Sequence, residues 1–328
     1  MSDPKKTTRR DFLLRGVKAA AAIAAAGYLA RQFRDKAGPP AGPEAESMVG
    51  LPDFSIPERS GKMAIVTGAD RAKTVRRALN ALGGMEKFVS RGDRVVLKVN
   101  AGFATPPMLS ATTHPDLVAE VVRLCIAAGA AAVMVTDNPI NDPVSSFELS
   151  GIARAARTAG AAVVLPHASL FRPVTLSEGT LIRDWPFFSL PLEGATRLIG
   201  LAPVKGHNRA GASMILKNWY GLLGGRRNVF HQNINDIVKE LALLVKPTLV
   251  ILDGTTTMMT NGPTGGSLSD LKPTHTMIVG TDPVAADAFG ATLLGMTADD
   301  LPYITKAAAA GAGTANYELL NPVRVEAG

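Results

Sequence analysis

The segment from Val204 to Gln232 concentrates polar side chains that could carry out acid–base or ligand-binding chemistry. It reads VKGHNRAGASMILKNWYGLLGGRRNVFHQ and holds His207 and His231, two of the chain's five histidines, together with Lys217. A histidine can exchange protons near neutral pH or bind a metal, and a lysine can neutralise an anion. We therefore expect His207, Lys217 and His231 to be catalytic residues of one pocket, with both histidines as candidate metal ligands.

Polar residues also follow several apolar runs that are typical of strands. In open α/β sheets, ligands bind outside the carboxyl ends of the strands. A buried, unpaired ammonium is costly, so the lysines in VVLKVN and LAPVK favour a shared pocket. Lys98 in particular is expected to face the ligand, so that Lys98→Met should abolish binding with little loss of stability. The expected cofactor- or ligand-binding residues are Lys98, Asn100, Asp137, Lys205, Asn218, Asp253 and Asn261.

Each of these residues also has an ordinary structural interpretation. Asn and Asp after a strand are common turn residues, and Lys217 is compatible with a solvated helix face. His231 could cap a helix, and the TNGPTGG loop at 260–266 could be a plain connection rather than an anion cradle. His114, before a proline at a helix start, could be a cap neighbour or a pocket residue.

The chain around these residues alternates short apolar runs with helical patterns. Strands are predicted at 62–68, 93–100, 131–137, 161–166, 197–205, 248–254 and 274–280. Helices are predicted at 72–84, 114–129, 145–159, 211–223, 233–245 and 282–295. This alternation predicts an α/β fold, with a mainly parallel sheet and helices on both faces. Residues 169–193 lack a regular pattern and are expected to form a small excursion or flap.

The net charge of the chain is concentrated at its N-terminus. The chain carries +7 overall, and residues 1–36 hold nine Lys or Arg against three Asp. The remaining residues are therefore nearly neutral, and we expect no nucleic-acid partner.

The same N-terminal residues resemble an export signal. Thr8–Leu13 reads TRRDFL and precedes a weakly apolar segment at 17–30, the pattern of a twin-arginine signal. An amphipathic helix or a short membrane anchor is the alternative. We expect a signal at 1–36, either cleaved or retained as an anchor, a linker at 37–61 and a functional body at 62–328, with two possible lobes at 62–166 and 197–328. The expected location is periplasmic or otherwise exported, with the twin-arginine machinery as a partner.

The cysteine content limits the cofactors. Cys125 is the single cysteine, which excludes an intrachain disulfide and a four-cysteine zinc or iron–sulfur site. Any metal must therefore be held by histidine, by carboxylate or by a ligand that the protein does not encode. Twin-arginine signals export folded proteins, often with a cofactor already inserted, so a metal or organometallic cofactor is compatible with this chain.

The ordered motifs resemble the proteins grouped under domain of unknown function 362. The resemblance covers most of residues 62–315. The typical pieces of that family are K-x-H, K-N-x-x-G, D-G followed by N-G-P, and D-P-V-A-x-D. They correspond here to Lys205/His207, Lys217/Asn218/Gly221, Asp253/Gly254 with Asn261/Gly262/Pro263, and Asp282/Pro283/Asp287. Many relatives carry ferredoxin-like cysteine motifs; this chain has none, so no iron–sulfur cluster is expected.

A more distant resemblance is to the nickel-pincer lactate racemases. In those enzymes a lysine holds an organic pincer cofactor covalently, one histidine coordinates nickel, and others move the substrate proton. His207, Lys217 and His231 follow one another at intervals of 10 and 14 residues in a similar order. The resemblance implies a cofactor on Lys217.

Two classes of function fit these observations. The first is a cofactor- or metal-dependent enzyme that acts on a small anionic molecule. The second is a non-catalytic periplasmic protein that binds such an anion or carries a cofactor. The lysines would serve both, whereas acid–base roles for the histidines would belong to the enzyme alone.

Overall fold

The computed structural model describes residues 47–328, so the predicted export signal lies outside the described residues. The strands in this range are β1 (Met48–Val49), β2 (Met63–Thr67), β3 (Arg94–Lys98), β4 (Ala132–Thr136), β5 (Ala162–Val164), β6 (Arg172–Thr175), β7 (Trp185–Phe187), β8 (Arg197–His207), β9 (Gly211–Ser213), β10 (Leu249–Met258), β11 (Leu271–Gly280) and β12 (Val323–Glu326). The α-helices are α1 (Arg71–Ala81), α2 (Pro115–Ala127), α3 (Pro143–Leu149), α4 (Ile152–Ala159), α5 (Ile215–Asn218), α6 (Ile234–Leu244), α7 (Pro283–Leu293) and α8 (Pro302–Ala309).

Nine strands form one mixed sheet, in the order β12-β2-β11-β10-β8-β3-β4-β5, with β9 paired to β8. The neighbours from β10 to β5 are parallel, and β11 runs antiparallel to both β10 and β2. The predicted α/β fold with a mainly parallel sheet is therefore confirmed. The two possible lobes both contribute to this sheet, because β8 lies between β3 and β10.

Helices cover both faces of the sheet, and the alternation along β3 shows how. Val95 and Leu97 pack in the core beneath α1, α2 and α4, whereas Val96 packs in the opposite core with α6, α7 and α8. Lys98 follows with the same alternation and therefore points to the Val96 face, where α5 lies. No helix in residues 47–328 is both long and apolar enough to span a membrane.

The helix predicted at 211–223 is helical only from Ile215 to Leu222, and its first residues are predicted wrongly. Residues Gly211–Ser213 instead form β9, which pairs with the end of β8. The α-helix begins only at Ile215, because the Asp287 carboxylate accepts hydrogen bonds from the amides of Ile215 and Leu216 at 2.8 and 3.0 Å. A 3-10 turn continues it from Trp219 to Leu222. A partner 72 residues away in sequence thus fixes the start of the helix that carries Lys217.

The predicted irregular excursion at 169–193 contains two strands. β6 pairs with both β1 and β7 in a separate three-stranded sheet. Glu240 of α6 holds the tip of this excursion in place. The Glu240 carboxylate accepts the amide hydrogens of Thr180, Leu181 and Ile182 at 2.7–3.1 Å. The predicted helix at 145–159 is divided into α3 and α4 at Gly151, which has a φ of 74°.

Candidate functional site

A cavity of about 290 Å³ opens beyond the carboxyl ends of β3, β4 and β8, and we call it the polar cavity. Seven of the ten residues expected at the site line it, and Lys98, Asp253 and Asn261 do not. Further polar side chains line it as well, namely Asn138, Asn208, Arg209, Ser213 and Arg227, with Tyr220 beside them. The seven expected residues are Asn100, Asp137, Lys205, His207, Lys217, Asn218 and His231.

Lys98 lies fully buried beneath the polar cavity rather than in it. Its Nζ contacts the Oδ1 atom of Asp137 at 2.7 Å and donates to the carbonyl oxygen of Val99 at 2.7 Å and to the Oδ1 atom of Asn218 at 3.0 Å. An ammonium has three hydrogens, so these contacts satisfy it without a ligand. Burial lowers the pKa of Lys98, and the nearby Asp137 opposes that shift. The expectation that Lys98 faces the ligand is therefore not met by this arrangement.

In the K-N-x-x-G motif, Lys217, Asn218 and Gly221 all line the polar cavity. Asn218 and Gly221 also lie against the buried Lys98 beneath it. The Nδ2 atom of Asn218 donates to the carbonyl oxygen of Leu201 at 3.1 Å, which fixes the amide that receives Lys98. At Gly221, a Cβ atom would lie 2.1 Å from the Asp137 Oδ1 atom and 2.8 Å from the Lys98 Nζ atom. Only glycine leaves room for this ion pair.

Two lysines present positive charge to the polar cavity. Lys205 is buried, and its Nζ donates to the carbonyl oxygen of Ala111 at 2.6 Å. Burial, and then the neighbouring Lys217, lower the pKa of Lys205 to about 7. The Nζ atom of Lys217 lies 5.3 Å from the centre of the Tyr220 ring, and burial followed by the charge of Arg227 lowers the pKa of Lys217 to about 8. Among the described residues, neither lysine lies within 4.0 Å of a carboxylate oxygen.

Arg227 adds a third cation that the sequence reasoning missed. Its guanidinium donates to the carbonyl oxygens of Pro139 at 2.7 Å and Leu223 at 3.2 Å, and it forms no salt bridge with a described carboxylate. Burial lowers its pKa, partly offset by the charge of Asp137. Its position in GGRRNVF, between Lys217 and His231, was the available signal.

The two histidines offer opposite hydrogen-bonding groups. The Nδ1 atom of His207 accepts the amide hydrogens of Arg209 and Ala210, each at 3.1 Å, so in the neutral ring the proton is on Nε2. The Nδ1 atom of His231 lies 3.1 Å from the carbonyl oxygen of Asn228 and must donate to it, which leaves a lone pair on Nε2. The rings are 6.4 Å apart and nearly parallel.

Both histidines are held in the neutral state. Burial, followed by the charge of Lys217, lowers the pKa of His207 to about 3. Burial also lowers the pKa of His231, although its hydrogen bond to Asn228 opposes the shift. One histidine therefore presents an N–H donor, and the other presents a proton acceptor.

These side chains do not make a complete metal site. The described residues contain no group of three His, Cys, Asp or Glu side chains placed to hold a metal ion. His207 keeps a proton on its remaining nitrogen in this arrangement and so lacks the lone pair that coordination needs. Of the two candidate metal ligands, His231 alone retains a suitable nitrogen.

Asp253 and Asn261 do not line the polar cavity and make other contacts. Asp253 follows Leu252 in β10 and therefore points to the opposite face of the sheet. There its carboxylate pairs with Arg71 Nε at 2.7 Å. The Nδ2 atom of Asn261 donates to the Asp270 carboxylate at 2.6 Å and so holds its own loop. His114 caps α2 by accepting the amide hydrogen of Asp116 at 3.3 Å.

Comparison with known proteins decides the family. The family model described as "Domain of unknown function (DUF362)" matches residues 95–292. The chain belongs to this family. A thylakoid-associated protein of Synechocystis sp. is 29% identical over 206 residues, which are 59% of this chain and 61% of that protein. The chain thus matches less than two thirds of the length of this relative.

Two solved structures are similar at low identity. The lactate racemase apoprotein of Thermoanaerobacterium thermosaccharolyticum is 13% identical, with a TM-score of 0.38, over 73% of this chain and 57% of that one. A protein from Thermotoga maritima is 13% identical, with a TM-score of 0.34, over 57% of this chain and 51% of that one. At these scores neither likeness carries an argument about function.

Proposed function

We propose that this protein is an enzyme that binds a small organic anion in the polar cavity and moves a proton on it. One observation carries the proposal: Lys205, Lys217 and Arg227 face one cavity and form no salt bridge with a described carboxylate. The cavity's own carboxylate, Asp137, already pairs with Lys98. Unpaired cations in a partly desolvated site are costly, and an anionic ligand would offset that cost.

The histidines favour an enzyme over a binding protein. A carboxylate held by the lysines would receive a further hydrogen bond from the Nε2–H group of His207. The Nε2 atom of His231 would accept a proton from the bound molecule, and the nearby cations would stabilise the negative charge that remains. A protein that only binds the anion needs the lysines but not an acceptor nitrogen facing the same cavity.

Anion binding should weaken as the pH rises, because it needs protonated lysines. The pKa values of Lys205 and Lys217 are about 7 and about 8, against an ordinary value of 10.5. Calorimetric titration with acetate between about pH 6 and about pH 9 should therefore show the affinity falling through that window. Affinity that is constant or rises with pH would contradict the proposal.

The stability of the ligand-free protein should change in the opposite direction. With a folded-state pKa below the unfolded one, the unfolded chain binds more protons at pH values between the two, so stability rises with pH. For these lysines that window runs from about 7 or 8 up to 10.5.

Deuterium exchange separates the enzyme from the non-catalytic binder. In D2O, the protein purified from its native host should exchange carbon-bound hydrogens of a short 2-oxo or 2-hydroxy acid, measured by proton NMR. His231→Gln should abolish exchange, because amide nitrogen and oxygen are poor proton acceptors. The matched control is His167→Gln, which changes an exposed histidine outside the cavity. Tight binding of such acids without exchange of their carbon-bound hydrogens would favour the non-catalytic binding protein.

We also propose a cofactor-loaded form of the protein, in which Lys217 and His231 hold the cofactor instead of acting on the anion directly. Lys217 has no carboxylate partner among the described residues and could hold an organic group covalently. A metal ligated by His231 would take most of its remaining ligands from such a group, because nearby protein donors are too few. Extra mass on the Lys217 peptide of protein from the native host would support this part of the proposal.

We also propose export by the twin-arginine route. Replacing Arg9 and Arg10 together by lysine should retain the protein in the cytoplasm, as measured by cell fractionation. The control replaces Arg31 and Arg34 by lysine, which makes the same two charge-preserving changes outside the Arg9–Arg10 pair. Unchanged export of the first variant would contradict the signal.

A further inference from the structure

A second cavity, of about 350 Å³, adjoins the polar cavity. The two share the lining residues Asn138, Ile140, Tyr220, Arg227 and His231, so one molecule can occupy both. We call this neighbour the side cavity.

The side cavity differs from the polar cavity in its cations. Neither Lys205 nor Lys217 lines it, and its additional lining comes from Pro139, Asn228 and the glycines at 224 and 225. Pro139, Ile140 and Tyr220 line it beside the polar residues Asn138, Arg227, Asn228 and His231. A charged group would find most of its partners in the polar cavity, whereas methylene groups would find contacts here.

Ile140 lies where the two cavities meet, and its side chain has little apolar cover. It is 66% exposed, although its amide is fixed by a hydrogen bond to the carbonyl oxygen of Gly102 at 3.0 Å. An anchored backbone beneath an exposed, branched apolar side chain forms a preorganised wall for an apolar ligand group.

We propose that the ligand is an organic acid with an apolar tail. Its carboxylate lies in the polar cavity near Lys205 and Lys217, and its tail passes Ile140 into the side cavity. This inference rests on the proposed anion site and adds the class of acid that the site selects. Ile140 is accordingly a specificity-determining residue rather than a catalytic one.

Titration with acetate, butyrate, hexanoate and octanoate tests the inference. Affinity should rise along the series, by about two- to fourfold for each methylene that the side cavity covers. In Ile140→Ser, most of the gain with chain length should be lost, measured as the ratio of each acid's affinity to the affinity of the same variant for acetate. Val144→Ser is the matched control, because Val144 is similarly exposed at 58% but lines neither cavity.

The possible outcomes separate this inference from the proposed function. Equal affinity for all four acids would overturn the tail site and leave the anion site intact. A gain with chain length that Ile140→Ser and Val144→Ser both preserve would overturn the assigned path past Ile140. Failure of all four acids to bind would overturn the anion site and the tail site together. Because Ile140 is exposed, Ile140→Ser should retain the unfolding midpoint of the wild type, which calorimetry can check.

Discussion

Lys217→Met should weaken acetate binding by at least about 30-fold and stabilise the ligand-free protein. Lys217 faces the polar cavity without a carboxylate partner among the described residues, so the free protein bears the cost of its desolvation. Methionine keeps most of the side-chain volume and removes the charge. The ligand then loses an ionic contact, whereas the unfolding free energy of the ligand-free protein should increase by about 1 kcal/mol.

The opposite signs of these two effects identify a residue that serves the ligand rather than the fold. Calorimetric titration measures the first effect, and denaturant unfolding without ligand measures the second. Lys272→Met is the matched control, because Lys272 is exposed on β11 and lines neither cavity. A Lys217→Met protein that binds acetate as well as the wild type would remove Lys217 from the site.

Lys98→Met should destabilise the protein by about 3–5 kcal/mol. The substitution leaves the Asp137 carboxylate buried without its cation and deprives Asn218 of a hydrogen-bond donor. From the sequence we expected the reverse, a loss of binding with little loss of stability. The structure changes that expectation because Lys98 is completely buried and its donors are already used.

A double variant tests whether the loss arises from the ion pair. Asp137→Asn removes the uncompensated charge, so Lys98→Met/Asp137→Asn should lose less stability than the sum of the two single variants. Gly221→Ala should disturb the same pair sterically. Gly102→Ala serves as the control, because the added methyl group would have no neighbouring atom closer than 3.7 Å. Lys98→Met with an unfolding free energy within about 1 kcal/mol of the wild type would contradict the assigned role.

The residues at the ends of parallel strands were predictable from the sequence. Asn100, Asp137, Lys205 and His207 follow apolar runs, and the parallel sheet brings those ends together. Lys98 shares the face of Asn100 but lies two residues deeper in β3. The alternation along a strand predicts on which sheet face a side chain lies, but not how deeply it is buried. It therefore could not distinguish a residue that contacts the ligand from one that is buried beneath the cavity.

The errors at other positions come from contacts between distant parts of the chain. The spacing of Met214, Lys217 and Gly221 suits a helix face, but pairing with β8 and the Asp287 carboxylate set a different start. Asp253 also ends a strand, yet its alternation turns it to the opposite sheet face, toward Arg71. No local pattern specifies such partners.

The most direct test of an anion site in the polar cavity is anomalous X-ray diffraction from crystals of the protein grown with bromide. We expect an anomalous peak in the polar cavity beside Lys217, absent from crystals of Lys217→Met and displaced by excess acetate. Bromide peaks confined to the protein surface, with none in the polar cavity of the wild type, would contradict the proposed anion site.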